Sequence, residues 1–486
     1  MLQIMQPTNP GYFIFLIVVT FGFFWTPGRF RWIWLLAVSL AFYHFIVPFW
    51  AALAYLGGAT LVSYLCGLGI ARSAAHKKAI MATGVVINVG LLVVVKYLDF
   101  FLGQIGRALQ VSLPEFGIKL PPGLSFYIFM TVTYMVDVHR GQMAAGRHLG
   151  HFAFYVAYFP KILAGPIERA RNFLPQLKEK IHFDSAKATE GWQLILLGLI
   201  KKMVIADRLA PFVKDAYGAV NTASPISLIL ATYFFMIQVY GDFSGYTDIA
   251  RGTGKLVGLD LMENFKRPFL SRSTPEFWGK RWHISLGSWF RDYMYIPMGG
   301  NRCAWPRRYF NAMTVFVVSG FWHAGLGYGV NWSFIIWGAI NGFYQWAAVA
   351  TKPIWKGLAA IFPRAKDNRF LTVARIFMTF NLVVFSQVYF RASSIGDAHT
   401  IINRVYKSLH SFPMLLKYYH FSAELLTTFA LIALLFIWEI FDERKSIWER
   451  LRTKPLVLRW AVYYALILFL ITMGKWGQGE FIYMQF

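Results

Sequence analysis

The sequence predicts an all-α, polytopic integral membrane protein, and three observations carry that prediction. Of the 486 residues, 57% are hydrophobic and only 15% are charged, whereas soluble domains carry about 25% charged residues. The apolar residues gather into runs long enough to cross ~30 Å of hydrocarbon, which takes ~20 residues of helix. Aromatic residues make up 18% of the chain, and such rings suit the two membrane–water interfaces. About 11–13 transmembrane helices are expected, with re-entrant or interfacial helices between them.

The runs lie at about residues 11–26, 32–50, 51–70, 79–101, 121–138, 192–206, 226–240, 310–322, 333–350, 370–390, 423–441 and 457–473. The first is apolar on all faces, as burial in lipid or in a helix bundle requires. No basic stretch precedes it and no small-residue cleavage site follows it, so it reads as a retained helix. Neither an internal repeat nor a Ser/Gly linker interrupts the chain. Residues 1–486 read as one membrane domain, in three segments: 1–148, 149–345 and 346–486. Cys66 and Cys303 are the only cysteines, and neither has the spacing of a disulfide framework or a metal site.

The formal charge is +25. A basic balance often marks nucleic-acid binding, but here the cations sit in short loops between apolar runs. They read instead as topology signals, contacts to anionic lipid or a seat for an anionic cofactor. Arg29 and Arg31, then Arg72, Lys77 and Lys78, then Arg140 and Arg147, follow alternate runs. Lys352, Lys356, Arg364, Lys366 and Arg369 precede the run at 370–390, and Arg444, Lys445, Arg450, Arg452 and Lys454 separate the last two runs. The positive-inside rule places these loops in the cytoplasm.

The middle of the chain breaks this alternation. Residues 149–191 and 241–309 are aromatic but too charged to span. Between 263 and 308, nine Lys or Arg stand against three acids. One charge at the bilayer centre costs roughly 2.5–3.5 kcal/mol on the lenient scale, so the stretch is expected to lie at the interface, re-enter or line a wet cavity.

Three segments there carry chemistry. The first is Tyr158-Phe159-Pro160-Lys161 through Ala164-Gly165-Pro166-Ile167-Glu168-Arg169, where proline and glycine break any helix. The second runs from Asp242-Phe243-Ser244-Gly245-Tyr246-Thr247-Asp248 to Trp278-Gly279-Lys280-Arg281-Trp282-His283-Ile284-Ser285 and on to Arg291. Asp242 and Asp248 could serve as a metal or acid/base pair. The simpler reading pairs them with Arg251, Lys255 or backbone donors in a broken helix. The third is Ser319-Gly320-Phe321-Trp322-His323, followed by Asn331-Trp332-Ser333. His323 ends an apolar run, and an ionisable group at membrane depth is a functional candidate by default. Trp278, Trp282 and Trp289 read as an interface belt, and His148 and His151 as surface groups.

At these residues the sequence resembles the membrane-bound O-acyltransferase (MBOAT) family, and more closely its bacterial branch that includes the alginate O-acetyltransferase membrane subunit AlgI. Pro121-Pro122-Gly123-Leu124-Ser125-Phe126-Tyr127, Tyr134-Met135-Val136-Asp137-Val138-His139-Arg140, Tyr295-Ile296-Pro297-Met298-Gly299-Gly300-Asn301-Arg302, Phe390-Arg391-Ala392 and Phe481–Phe486 match as well, so the likeness runs almost end to end. The resemblance implies helices around a central cavity, with the core in 149–345. It implies a catalytic histidine at His323 and a second polar group at His283. Asp242, Tyr246, Trp322 and Asn331 fall in its structural or pocket positions. The implied donor is acetyl-coenzyme A, no metal is required, and Lys280, Arg281, Trp282 and Arg291 fall where its phosphates would sit.

The implied role is O-acetylation of an exported polysaccharide such as alginate, at the bacterial inner (cytoplasmic) membrane, with a periplasmic SGNH-type acetyltransferase and the export machinery as partners. The lipid bilayer surrounds the chain, and no nucleic acid is involved. D-alanyl transfer to teichoic-acid-type polymers is the alternative within the enzyme class. A transporter or a non-catalytic scaffold of an export complex is the alternative outside it. This chain departs from the family pattern twice. Ala324 to Asn331 fill a gap that is about five residues shorter in the family, and Asn341 stands where a second motif often has histidine.

Overall fold

The computed structural model describes residues 8–324, 331–353, 368–477 and 481–482. All regular structure among them is helical. Every expected run is found as a helix: α1 (Pro10–Trp25), α2 (Arg31–Ile46), α3 (Trp50–Arg72), α4 (Lys77–Leu109), α5 (Leu124–His139), α6 (Leu149–Ala157), α7 (Ser185–Leu199), α8 (Asp207–Gly218), α9 (Pro225–Leu256), α10 (Ile284–Phe290), α11 (Trp305–His323), α12 (Ser333–Ala350), α13 (Arg369–Arg391), α14 (Ile395–Lys407), α15 (Ala423–Arg444) and α16 (Leu456–Met473), with short turns between. Among the described residues, six of these (α3, α4, α9, α13, α15 and α16) are long and apolar enough to cross a membrane by length and composition. The other runs fold as shorter or less apolar helices. α16 leaves Val457, Leu468 and Ile471 exposed on one side, a surface that water would not tolerate and lipid covers. The protein is a multi-pass membrane protein.

The chain divides into two compact units interleaved in sequence: residues 1–199, 245–263 and 480–486, and residues 200–244 and 264–479. These limits do not coincide with the three segments expected from the sequence.

In the first unit, α3, α4 and α5 pack against one another through small residues. A Cβ on Gly67 would meet the Tyr134 ring at 2.5 Å, and one on Gly84 would meet Met135 Sδ at 2.5 Å. Close backbone approach through small residues is how helices associate where no hydrophobic force separates helix from lipid. A buried polar link crosses the same helices, with Asn88 Nδ2 donating to Ser63 Oγ (3.2 Å) and Thr131 Oγ1 to Asn88 Oδ1 (3.3 Å). Asp137 is buried near the end of α5, with Arg171 at 3.6 Å. The proline-broken segment 158–169 lies wholly inside this unit. Lys161, Glu168 and Arg169 are buried there, and Glu168 accepts from the Met262 N–H.

The sequence placed a break after residue 240. The structure corrects this: α9 continues unbroken through Asp242 and Asp248 to Leu256. The acids are tolerated because each has a cation. Asp242 meets Lys202, and Asp248 meets Arg251 one turn on at 3.5 Å. Lys255 binds Glu190 and Asp260 instead.

In the second unit, α11 and α12 form the tightest pair. A Cβ on Gly320 would lie 2.3 Å from the Phe334 carbonyl oxygen, and one on Gly338 would lie 2.3 Å from that of Phe316. No other residue permits this approach from both sides. It seats the last turn of α11, which carries His323, directly against α12.

Candidate active site

His323 is the last residue of α11 and is buried. Its imidazole sits among aromatic rings of the second unit: Trp322 at 4.6 Å between centroids, Phe390 of α13 at 5.3 Å and Trp337 of α12 at 5.4 Å. Trp337 continues to Trp278 at 5.6 Å, and Trp278 to Trp282 at 6.3 Å. Trp282 meets Phe265 at 5.0 Å, and Phe265 meets His283 at 6.3 Å. Ring contacts thus connect the two histidines that are 40 residues apart in sequence. Trp278 and Trp282, expected at the membrane interface, are links in this chain. The Trp278 indole donates to Asn341 Oδ1 at 3.1 Å, so the position where the family often has histidine here anchors a tryptophan.

His283 is the more unusual of the pair. Its φ is +45° and its ψ is 54°, a left-handed conformation that costs a residue with a Cβ roughly 1–3 kcal/mol and clusters at functional sites. The geometry is held from outside. The Asn264 carbonyl oxygen accepts from Ile284 N at 2.9 Å, and its Oδ1 accepts from Ser285 N at 3.2 Å. The ring is 4% exposed and rests on Phe243, 4.7 Å away. Neither ring nitrogen has a hydrogen-bond partner among the described residues. Burial pushes its pKa down to about 3, because the charged form loses its hydration. His283 is therefore a neutral imidazole, able to donate through one nitrogen and accept through the other.

The remaining expected site residues divide. Trp322 is buried beside His323. Asn331 Oδ1 accepts from Ser333 N at 2.8 Å and starts α12, a structural task. Asp242 is buried in the second unit, where Lys202 Nζ lies 2.5 Å from it and 2.8 Å from Asp207. Tyr246 belongs to the first unit, where its ring lies 5.0 Å from Phe481. Residues 325–330, most of the extra segment after His323, lie outside the described residues, as do 483–486 of the tail.

Of the four expected phosphate contacts, Lys280 is exposed and Trp282 is buried. Arg281 is held by Glu276 and Glu443, each at 2.8 Å. Arg291 is half-exposed and pairs with its neighbour Asp292 at 2.8 Å.

Sequence reasoning assigned no site role to Lys202, Asn264, Trp337 or Phe390. The last three lie in stretches it singled out, Asn264-Phe265, Trp337-Gly338 and Phe390-Arg391-Ala392, and Lys202 left a signal as a cation inside the apolar run 192–206. It lies in a π-helical turn, Ile200–Ala206, a local widening that recurs at functional sites.

Comparison with known proteins agrees with this picture. Residues 144–368 match the model of MBOAT, the membrane-bound O-acyltransferase family. A probable alginate O-acetylase AlgI of Azotobacter vinelandii is 35% identical over 419 residues, covering 83% of this chain and 78% of the relative. Its counterpart in Pseudomonas putida is 36% identical over 415 residues, 82% of this chain and 79% of the relative. A peptidoglycan O-acetyltransferase of Helicobacter pylori is 30% identical over 403 residues, 76% and 72%. With a buried histidine closing α11, a second in the same aromatic core and likeness over most of its length, the chain belongs to the membrane-bound O-acyltransferase family and is an O-acyltransferase.

Proposed function

We propose that this enzyme transfers the acetyl group of acetyl-coenzyme A towards an exported polysaccharide, with His323 as general base. The observation that carries the reading is the position of His323: a titratable group buried at a helix end and walled by Trp322, Trp337 and Phe390. Acyl transfer from a thioester to a hydroxyl needs a base to take the hydroxyl proton, and a neutral imidazole offers an acceptor nitrogen for it. The hydroxyl oxygen attacks the thioester carbonyl carbon as its proton passes to His323. Collapse of the tetrahedral species breaks the C–S bond, and the imidazolium returns the proton to the departing sulfur. His283, neutral and without a hydrogen-bond partner among the described residues, is suited to hydrogen-bond the donor or the acceptor hydroxyl and so orient it.

The relatives that act on alginate and peptidoglycan favour a glycan acceptor at the bacterial inner membrane. A periplasmic SGNH-type acetyltransferase and the polysaccharide export machinery are the partners that fit. Lys280 is exposed and makes no ion pair among the described residues. It is therefore better placed than Arg281 to meet a coenzyme A phosphate. The test is incorporation of labelled acetate into glycan by inverted membrane vesicles supplied with acetyl-coenzyme A. Wild type should label the glycan and His323→Ala should not. Labelling by D-alanine from a carrier thioester, with none from acetyl-coenzyme A, would point to the teichoic-acid type of reaction instead.

A further inference from the structure

Trp337 presents a buried indole N–H for which the described residues offer no acceptor. The residue is 2% exposed, and its Nε1 makes no hydrogen bond among the described residues. A buried indole ordinarily finds a partner, because a donor stripped of water and left unpaired is costly. Other indoles here do so: Trp34 donates to the Val19 carbonyl oxygen and Trp278 to Asn341 Oδ1, both at 3.1 Å.

Trp337 is also held rigidly. Its ring is wedged between Phe390 at 5.0 Å, Trp278 at 5.6 Å and His323 at 5.4 Å. Its carbonyl oxygen accepts from Asn341 Nδ2 at 2.9 Å. Its neighbour Gly338 is locked against the Phe316 backbone. The His323 and Trp337 rings cross at 85°, edge to face. The unpaired donor is thus fixed beside the base without being consumed by it.

We propose that Trp337 Nε1–H donates to the thioester carbonyl oxygen as negative charge develops there, making Trp337 a catalytic residue alongside His323. The inference rests on the acyl-transfer reading above. When the acceptor oxygen bonds to the carbonyl carbon, the carbonyl electron pair moves onto its oxygen, and that charge needs a donor already in place. A neutral indole donates and never accepts, so it stabilises the oxyanion without introducing a buried cation. The donor keeps its proton throughout. The proton that moves is the hydroxyl's, by way of His323.

The experiment uses inverted membrane vesicles carrying the full-length chain, acetyl-coenzyme A as the varied substrate and glycan-bound acetate as the product, normalised to chain abundance. Two variants are compared with wild type: Trp337→Phe, and site-specific replacement by β-(3-benzothienyl)alanine. The latter keeps the bicyclic shape and puts sulfur where the N–H was. The proposal predicts that both lower the maximal rate by about 10²-fold, the usual effect of removing one oxyanion donor, with the apparent KM for acetyl-coenzyme A changed less than about threefold. A purely packing role predicts that the benzothienyl variant works like wild type, and that result would overturn the proposal while leaving the His323 reading intact. A loss expressed wholly in KM would overturn it too. Absence of turnover in wild type would overturn the acyl-transfer reading itself and this inference with it.

Discussion

Substituting Gly320 by alanine tests how the fold positions the base. Gly320 lies three residues before His323, at the point where α11 touches α12. A methyl group there would stand 2.3 Å from the Phe334 carbonyl oxygen, whereas ordinary contact begins at 3.4 Å. The helices must separate by the difference, about 1 Å, because backbone is the obstacle and no side chain can swing aside. Overpacking of this kind costs roughly 1–3 kcal/mol. The larger consequence is catalytic. Displacement of a reacting group by about 1 Å costs on the order of 10²-fold in rate, and His323 rides on the displaced helix end. Thermal unfolding in detergent measures the first effect and labelling in inverted vesicles the second. Gly57→Ala is the control, since nothing lies within 4 Å of a Cβ there. If Gly320→Ala retained both the wild-type melting temperature and the wild-type rate, close α11–α12 packing would not be what sets His323.

Three further outcomes are expected. Asp242→Asn should destabilise the second unit by about 3 kcal/mol, at the low end for breaking a buried ion pair, because Lys202 keeps Asp207 at 2.8 Å; a melting curve unchanged from wild type would contradict the charge cluster. His283→Asn should cut the acyl-transfer rate by at least about 10-fold, the low side of the effect of removing a positioned catalytic group. It should do so without lowering the melting temperature, since asparagine's short polar side chain suits the left-handed region and the imidazole it removes makes no hydrogen bond among the described residues. A clear fall in melting temperature would mean that the ring is structural. Lys280→Gln should raise the apparent KM for acetyl-coenzyme A several-fold, as loss of one charge-assisted phosphate contact would. Arg281→Gln should act mainly through its pairs with Glu276 and Glu443, and a KM effect confined to Arg281→Gln would reverse that assignment.

Much of the architecture was legible because the membrane makes it so. A run such as 457–473 has one stable form in lipid, a helix, and α16 follows it within a residue. His323 drew notice for a related reason, since an ionisable side chain at the end of an apolar run is a functional candidate by default. The course of α9 was not. Charge alone argued for a break after residue 240, and only the arrival of Lys202 from another part of the chain makes Asp242 tolerable inside a helix. The surroundings of Trp337 and Asn264 were equally opaque, although both lie in the stretches that stand out in the sequence, Trp337-Gly338 and Asn264-Phe265. What the fold adds is an indole with no acceptor among the described residues, and a carboxamide that pins the backbone around His283. The strain at His283 likewise exists only once the backbone is folded.

The most direct measurement is glycan O-acetylation in cells lacking this protein, complemented with wild type or with His323→Ala at matched membrane levels. The account predicts that wild type restores glycan acetate esters and His323→Ala restores none. Equal restoration by both would contradict the assignment of His323 as the base and would point to a non-catalytic role in an export complex.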